Sequence, residues 1–154
     1  MRFLSIILLF SLTIGQVAKG QENFQNEDKP RSALTLGFLH GGGSLVGADF
    51  EILLTSRFSF QIGAGWVGFG GGINYHLKPT IKSSMISLQY FHQGVSDSYT
   101  QSMLGPLFVY RAKKLFTASL GFGYALEKGP AFPNDKNQPS AMLLYSIGIY
   151  LPIK

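Results

Sequence analysis

The stretch Arg57-Phe58-Ser59-Phe60-Gln61-Ile62-Gly63-Ala64-Gly65-Trp66 decides the fold. Phe58, Phe60, Ile62, Ala64 and Trp66 share one parity, while Arg57, Ser59, Gln61, Gly63 and Gly65 share the other. A period of two belongs to an extended strand with one apolar face and one small or polar face. The apolar face is rich in aromatics and the rhythm returns down the chain, so its surroundings are expected to be lipid rather than a protein core.

Working outward, seven more segments carry the pattern. Strands are expected at about residues 33–40, 45–54, 57–65, 68–77, 84–92, 103–112, 115–126 and 141–153. Leu34, Leu36 and Phe38 share a face in the first, as do Val46, Ala48, Phe50, Ile52 and Leu54 in the second, and Phe116, Ala118, Leu120, Phe122, Tyr124 and Leu126 in the seventh. The glycines of 68–72 leave one boundary open, because a single long bulged strand across 57–77 would make the number odd. Each segment is near the ~9 to 11 residues that a tilted strand needs to cross a bilayer, and eight is the smallest even number used by such barrels. The expected fold is all-β, an eight-stranded antiparallel up-and-down transmembrane β-barrel over residues 33–154. Connections at 55–56, 78–83 and 113–114 are short, whereas 93–101 and 127–140 are longer and rich in turn residues. The Gly41-Gly42-Gly43-Ser44 and Trp66-Val67 connections are short as well, so one half of the outer rim should be low.

Composition agrees with a lipid-facing surface. Only 14% of the 154 residues are charged, against roughly 25% in ordinary soluble domains, while aromatics reach 14% and glycines number 19. The N-terminus reads as a signal peptide over residues 1–20, with Arg2 as basic region, Phe3 to Ile14 as apolar region, and Ala18-Lys19-Gly20 before a cleavage expected ahead of Gln21. Residues 21–32 are polar and aperiodic, a flexible periplasmic tail. Removing Arg2 and Lys19 with the leader leaves eleven basic against eight acidic side chains, a net charge of about +3 that is too mild to suggest nucleic acid. The absence of cysteine rules out disulfides and thiolate metal sites.

On the inward parity, Asp49 and Glu51 stand two residues apart and point to one face. Charges in a lumen must be paired, because an isolated buried charge carries a heavy desolvation cost. The expected site is therefore an internal salt-bridge and hydrogen-bond plug of Asp49, Glu51, Arg57 and Arg111, with Gln61, Asn74, His76 and Gln89 nearby. A paired-carboxylate catalytic site is the rival, but an eight-stranded interior is usually just filled by side chains. His40, His76 and His92 show no metal-binding spacing on a common face, and no cofactor is expected. The run Gly68-Phe-Gly-Gly-Gly72 lacks the lysine and helix of a phosphate loop, and its glycines are read as room for bulky side chains from opposite strands. Phe132, between Pro130 and Pro133, is the expected apolar anchor of the longest loop.

From Ala33 to Lys154 the pattern resembles the small outer-membrane β-barrel proteins of Gram-negative bacteria, which include eight-stranded adhesion, defence and small-porin types. Ser146-Ile-Gly148-Ile-Tyr-Leu151-Pro-Ile153 resembles the last-strand insertion signal, with Ser146, Gly148, Leu151 and Ile153 at its key positions. Here Pro152 and the final Lys154 depart from the pattern. The resemblance implies an outer-membrane location, contact with outer-membrane lipid, passage through the barrel assembly machinery, a monomer, and a structural, adhesion or narrow-pore role without enzymatic activity. Two other readings stand beside it. A soluble lipocalin-like barrel would turn Phe58, Phe60, Trp66, Phe116 and Phe122 inward around a lipophilic ligand. A lipid-modifying outer-membrane enzyme would use one of the histidines with a serine and an acid.

Overall fold

A computed structural model describes residues 29–94 and 99–154. The expected signal peptide and residues 21–28 of the expected tail lie outside the described residues. Eight strands follow one another: β1 (Ser32–Phe38), β2 (Val46–Leu53), β3 (Phe58–Gly65), β4 (Gly68–His76), β5 (Met85–Gln93), β6 (Gln101–Arg111), β7 (Phe116–Lys128) and β8 (Ala141–Ile153). Each pairs antiparallel with its sequence neighbours, and β8 pairs with β1, so the sheet closes in the order β1 to β8. Closure leaves no strand edge unpaired, and among the described residues there is no helix. The fold is an all-β, eight-stranded, closed antiparallel barrel.

The boundary left open at the glycines is a tight hairpin. Gly65 pairs with Gly68 across Trp66 and Val67, so β3 and β4 are separate strands and the number is even. Strand lengths run from 7 residues in β1 to 13 in β7 and β8, which makes the wall uneven and the β1–β4 side low. One extra residue enters β7 opposite the Ser102–Met103 step, where the register shifts between Glu127 and Ala125. Such a bulge bends the taller wall locally.

Alternation sets the two surfaces. Leu36, Phe50, Phe60, Ile73, Leu88, Phe108, Leu120 and Ile147, one from each strand, point outward and are 39–57% exposed. Phe58, Trp66, Phe116 and Phe122 are outside too, whereas Asp49, Glu51, Ser59 and Gln61 are buried inside. This is the inverse of the arrangement that an apolar-ligand barrel requires. Monomeric soluble proteins rarely expose apolar patches beyond a few hundred Å².

The interior departs from the small, polar lining that the inward parity suggested. Phe91, Met103, Leu107 and Leu144 form a buried apolar cluster on the β5–β8 side, with Met142 packed against it. The densest polar cluster is on the β2–β4 side, joined by Arg111 from β6, while Ser119 and Ser146 meet on the inside of β7 and β8. At the end where the strand ladder begins and finishes, Ile81 of the β4–β5 connection is fully buried against Ala33 and Leu53 and stoppers the barrel.

Candidate functional site

Glu51 on β2 is the hub of the lumen. It is 1% exposed, and its Oε1 accepts hydrogen bonds from Ser59 Oγ on β3 (2.5 Å), His76 Nε2 on β4 (2.9 Å) and Asn74 Nδ2 on β4 (3.0 Å). These strands are neighbours, and inward parity brings their side chains to one level. From the far wall, Arg111 Nη2 on β6 donates to Glu51 Oε2 at 2.5 Å. Asn74 extends the network by donating to Gln61 Oε1 at 3.2 Å and accepting from Ser87 Oγ at 2.5 Å. Arg111 also donates through Nη1 to the carbonyl of Ile81 and lies 4.8 Å from the centroid of the Tyr150 ring. Tyr150 in turn donates its hydroxyl to Ala112 O at 2.7 Å. A buried carboxylate with four donors and one charged partner meets the condition under which an ion pair survives desolvation.

Asp49 belongs to a second, separate cluster. Its Oδ2 accepts from His40 Nδ1 at 2.6 Å and its Oδ1 from the Gly41 backbone N–H at 3.1 Å. Both partners lie in the β1–β2 connection, which turns inward instead of forming a free loop on the rim. Leu39, Gly41, Gly42 and Gly43 all have φ between 59° and 80°, and Ser44 is fully buried. A Cβ on Gly42 would stand 2.2 Å from the Phe69 backbone, and one on Gly65 would stand 2.4 Å from Ser44 Cβ. Gly65, Gly68 and Gly70 therefore make room for Gly42 and Ser44, while Gly63 faces the Asp49 carboxylate and Gly72 the neighbouring Gln89, so the expectation that these glycines accommodate bulky side chains from opposite strands is replaced by an inward loop and adjacent-strand side chains.

The expected single plug is thus two. Glu51, Arg111, Asn74, His76 and Gln61 come together, and Asp49 instead clamps the inward loop. Gln89 is buried and borders the central cavity. Arg57 is not in the lumen: its Nη1 donates to Leu77 O at 2.6 Å, and its guanidinium lies 6.0 Å from the exposed Tyr75 ring. It precedes β3, where no ladder pair enforces parity, and its long stem reaches the rim. Sequence reasoning left Ser59, Ser87, His40 and Tyr150 out of the plug, although it set Ser59 on the polar parity of its strand. For Tyr150 the signal was available, since it shares parity with Ser146 and Gly148.

Of the residues expected as the insertion signal, Ser146 hydrogen-bonds Ser119 Oγ at 2.7 Å inside, Gly148 faces Gly37 and Thr117 across its two ladders, and Leu151 and Ile153 point outward. Phe132 is half-buried beneath Lys128, whose Nζ lies 5.1 Å from the ring centroid, so it is not a bare anchor. Its loop is tied to the β5–β6 connection through Gly129 N to Thr100 O (2.7 Å) and Ala131 N to Tyr99 O (3.1 Å).

The Ser59, His76 and Glu51 cluster contains the residue types of a hydrolytic triad but not its wiring. A carboxylate only accepts, so His76 Nε2 carries a hydrogen committed to Glu51, and that nitrogen cannot take the serine proton. Ser59 is itself 1% exposed and beyond the reach of a substrate. A cavity of about 200 Å³ remains between the two clusters and the apolar wall, bordered by His40, Asp49, Gln89, Phe91, Leu107 and Leu144. The described residues include no group of three or more His, Asp and Glu arranged to hold a metal ion. In comparisons with known proteins, no family model, curated protein or solved structure matches the chain.

Proposed function

We propose that this chain is an integral outer-membrane barrel, exported behind its leader, whose role is structural or adhesive and not enzymatic. The observation that carries this reading is the apolar belt contributed by all eight strands around a charged, hydrogen-bonded interior. Such an inside-out distribution matches a hydrocarbon surrounding, where a water-facing surface would carry many more Lys and Glu. Of the roles weighed from sequence, a narrow pore is the least supported. The lumen is stoppered at one end by Ile81 and the Glu51–Arg111 cluster, and toward the other by the inward Gly41–Ser44 loop. The segment 129–140 and residues 99 and 100, tied to it on the tall side of the barrel, are the surface offered to any external contact.

The cavity's apolar wall favours the lipophilic-ligand reading in one respect, but about 200 Å³ falls short of the ~300–1,000 Å³ of typical ligand sites. The deciding experiment is membrane fractionation with gel mobility before and after boiling. Retention in the outer membrane through a urea wash, with a heat-dependent mobility shift, is the expected result. A soluble chain of unchanged mobility would overturn the proposal.

A further inference from the structure

Charge is distributed unequally between the two ends of the barrel. At the end where β1 begins and β8 finishes, the turns carry Arg57, Lys78, Lys82, Lys113 and Lys114, and the segments flanking the two strands add three more cations. The four lysines are exposed. No described carboxylate side chain lies on that rim, because Asp49 and Glu51 are in the lumen and Glu127 and Asp135 are at the opposite end beside Lys128 and Lys136. Glu22, Glu27 and Asp28 lie outside the described residues; counted in full against this rim they still leave cations in excess by eight to three. Among the described residues the far rim is balanced at two against two, and Asp97 of the β5–β6 connection, outside the described residues, would add a third acid there.

The cations also sit directly at the border of the apolar belt. Lys78 follows Leu77, Lys114 precedes Leu115, and Arg57 precedes Phe58, whose exposed ring meets Tyr75 edge-on at 5.2 Å. Cationic groups at the edge of an apolar and aromatic band, as Lys78, Lys114 and Arg57 are here, stand at the depth of lipid phosphates. We propose that this rim docks on anionic phospholipid headgroups, so that the barrel gathers anionic lipid around the end where its strand ladder begins and finishes. The inference rests on the membrane-barrel reading and adds a lipid class and a sidedness to it.

The test uses the full chain reconstituted in phosphatidylcholine vesicles, with spin-labelled phosphatidylglycerol or spin-labelled phosphatidylcholine as the reporter lipid. The expected result is preferential association of the anionic label by about twofold or more, falling as salt is raised to ~0.5 M. The preference should disappear in K78Q/K82Q/K113Q/K114Q and shrink in each half of that set, while K128Q/K136Q keeps it. Equal association of the two labels, or a preference that survives the quadruple substitution in protein that still shifts on heating, overturns the inference and leaves the barrel reading intact. A chain that never inserts overturns both. Retention of the wild type on a soluble polyanion without lipid preference would reassign the rim to a polymer partner and overturn the lipid assignment.

Discussion

Replacing Glu51 by Leu removes the acceptor of four donors at once. Arg111, only 6% exposed, then keeps its charge with Ile81 O and the Tyr150 ring as remaining partners. Breaking a buried ion pair from one side costs about 3–5 kcal/mol. The other three donors add less, since Ser59 and His76 lie 3.0 Å apart and Asn74 retains Gln61. We expect a loss of about 4 kcal/mol, on the order of a thousandfold in the folding equilibrium. Arg111→Met alone leaves Glu51 with three donors and should cost about 2–3 kcal/mol. The double variant E51L/R111M swaps a charged pair for apolar side chains of similar size and should cost only ~1–2 kcal/mol, well below the sum of the single losses. The assay is reversible urea unfolding in lipid vesicles, followed by the fluorescence of Trp66, the only tryptophan and 84% exposed at the tip of the β3–β4 hairpin. If the single losses add to within about 0.5 kcal/mol in the double variant, the two residues do not act as a pair and the argument fails.

Gly42→Ala should expel the inward loop, because its φ of 80° and the Phe69 backbone 2.2 Å away both exclude a Cβ; amide exchange at Ser44 is expected to rise by about tenfold or more, and unchanged protection would refute it. Asp49→Ala leaves His40 Nδ1 and the Gly41 N–H without their acceptor and should cost about 1–3 kcal/mol in the same urea assay. A loss within measurement error would mean that glycine packing alone holds the loop. Arg57→Gln, by contrast, should stay within about 0.5 kcal/mol, since the side chain occupies the rim; a loss matching Arg111→Met would put it back in the lumen.

The sequence alone was enough to give the approximate strand positions and which face of each strand is apolar, but the strand number waited on the hairpin that pairs Gly65 with Gly68. Parity is a local property: a period of two needs no knowledge of neighbours, and Phe58, Phe60 and Ile62 share one face wherever β3 is placed. It likewise placed Asp49 and Glu51 inside, and named four of the residues that meet around Glu51, namely Gln61, Asn74, His76 and Arg111. Only the tertiary structure decided who pairs with whom. Asp49 and Glu51 share a face, yet one clamps a loop and the other anchors a cluster, because partner choice depends on the register of strands distant in sequence and on a seven-residue connection turning inward. The apolar half of the lumen was hidden for the same reason: Met103, Leu107 and Val109 alternate with outward Leu104, Phe108 and Tyr110, so both faces of β6 are apolar and period alone cannot separate them. Closure of the sheet supplies the missing coordinate, the curvature that gives each face a different neighbour.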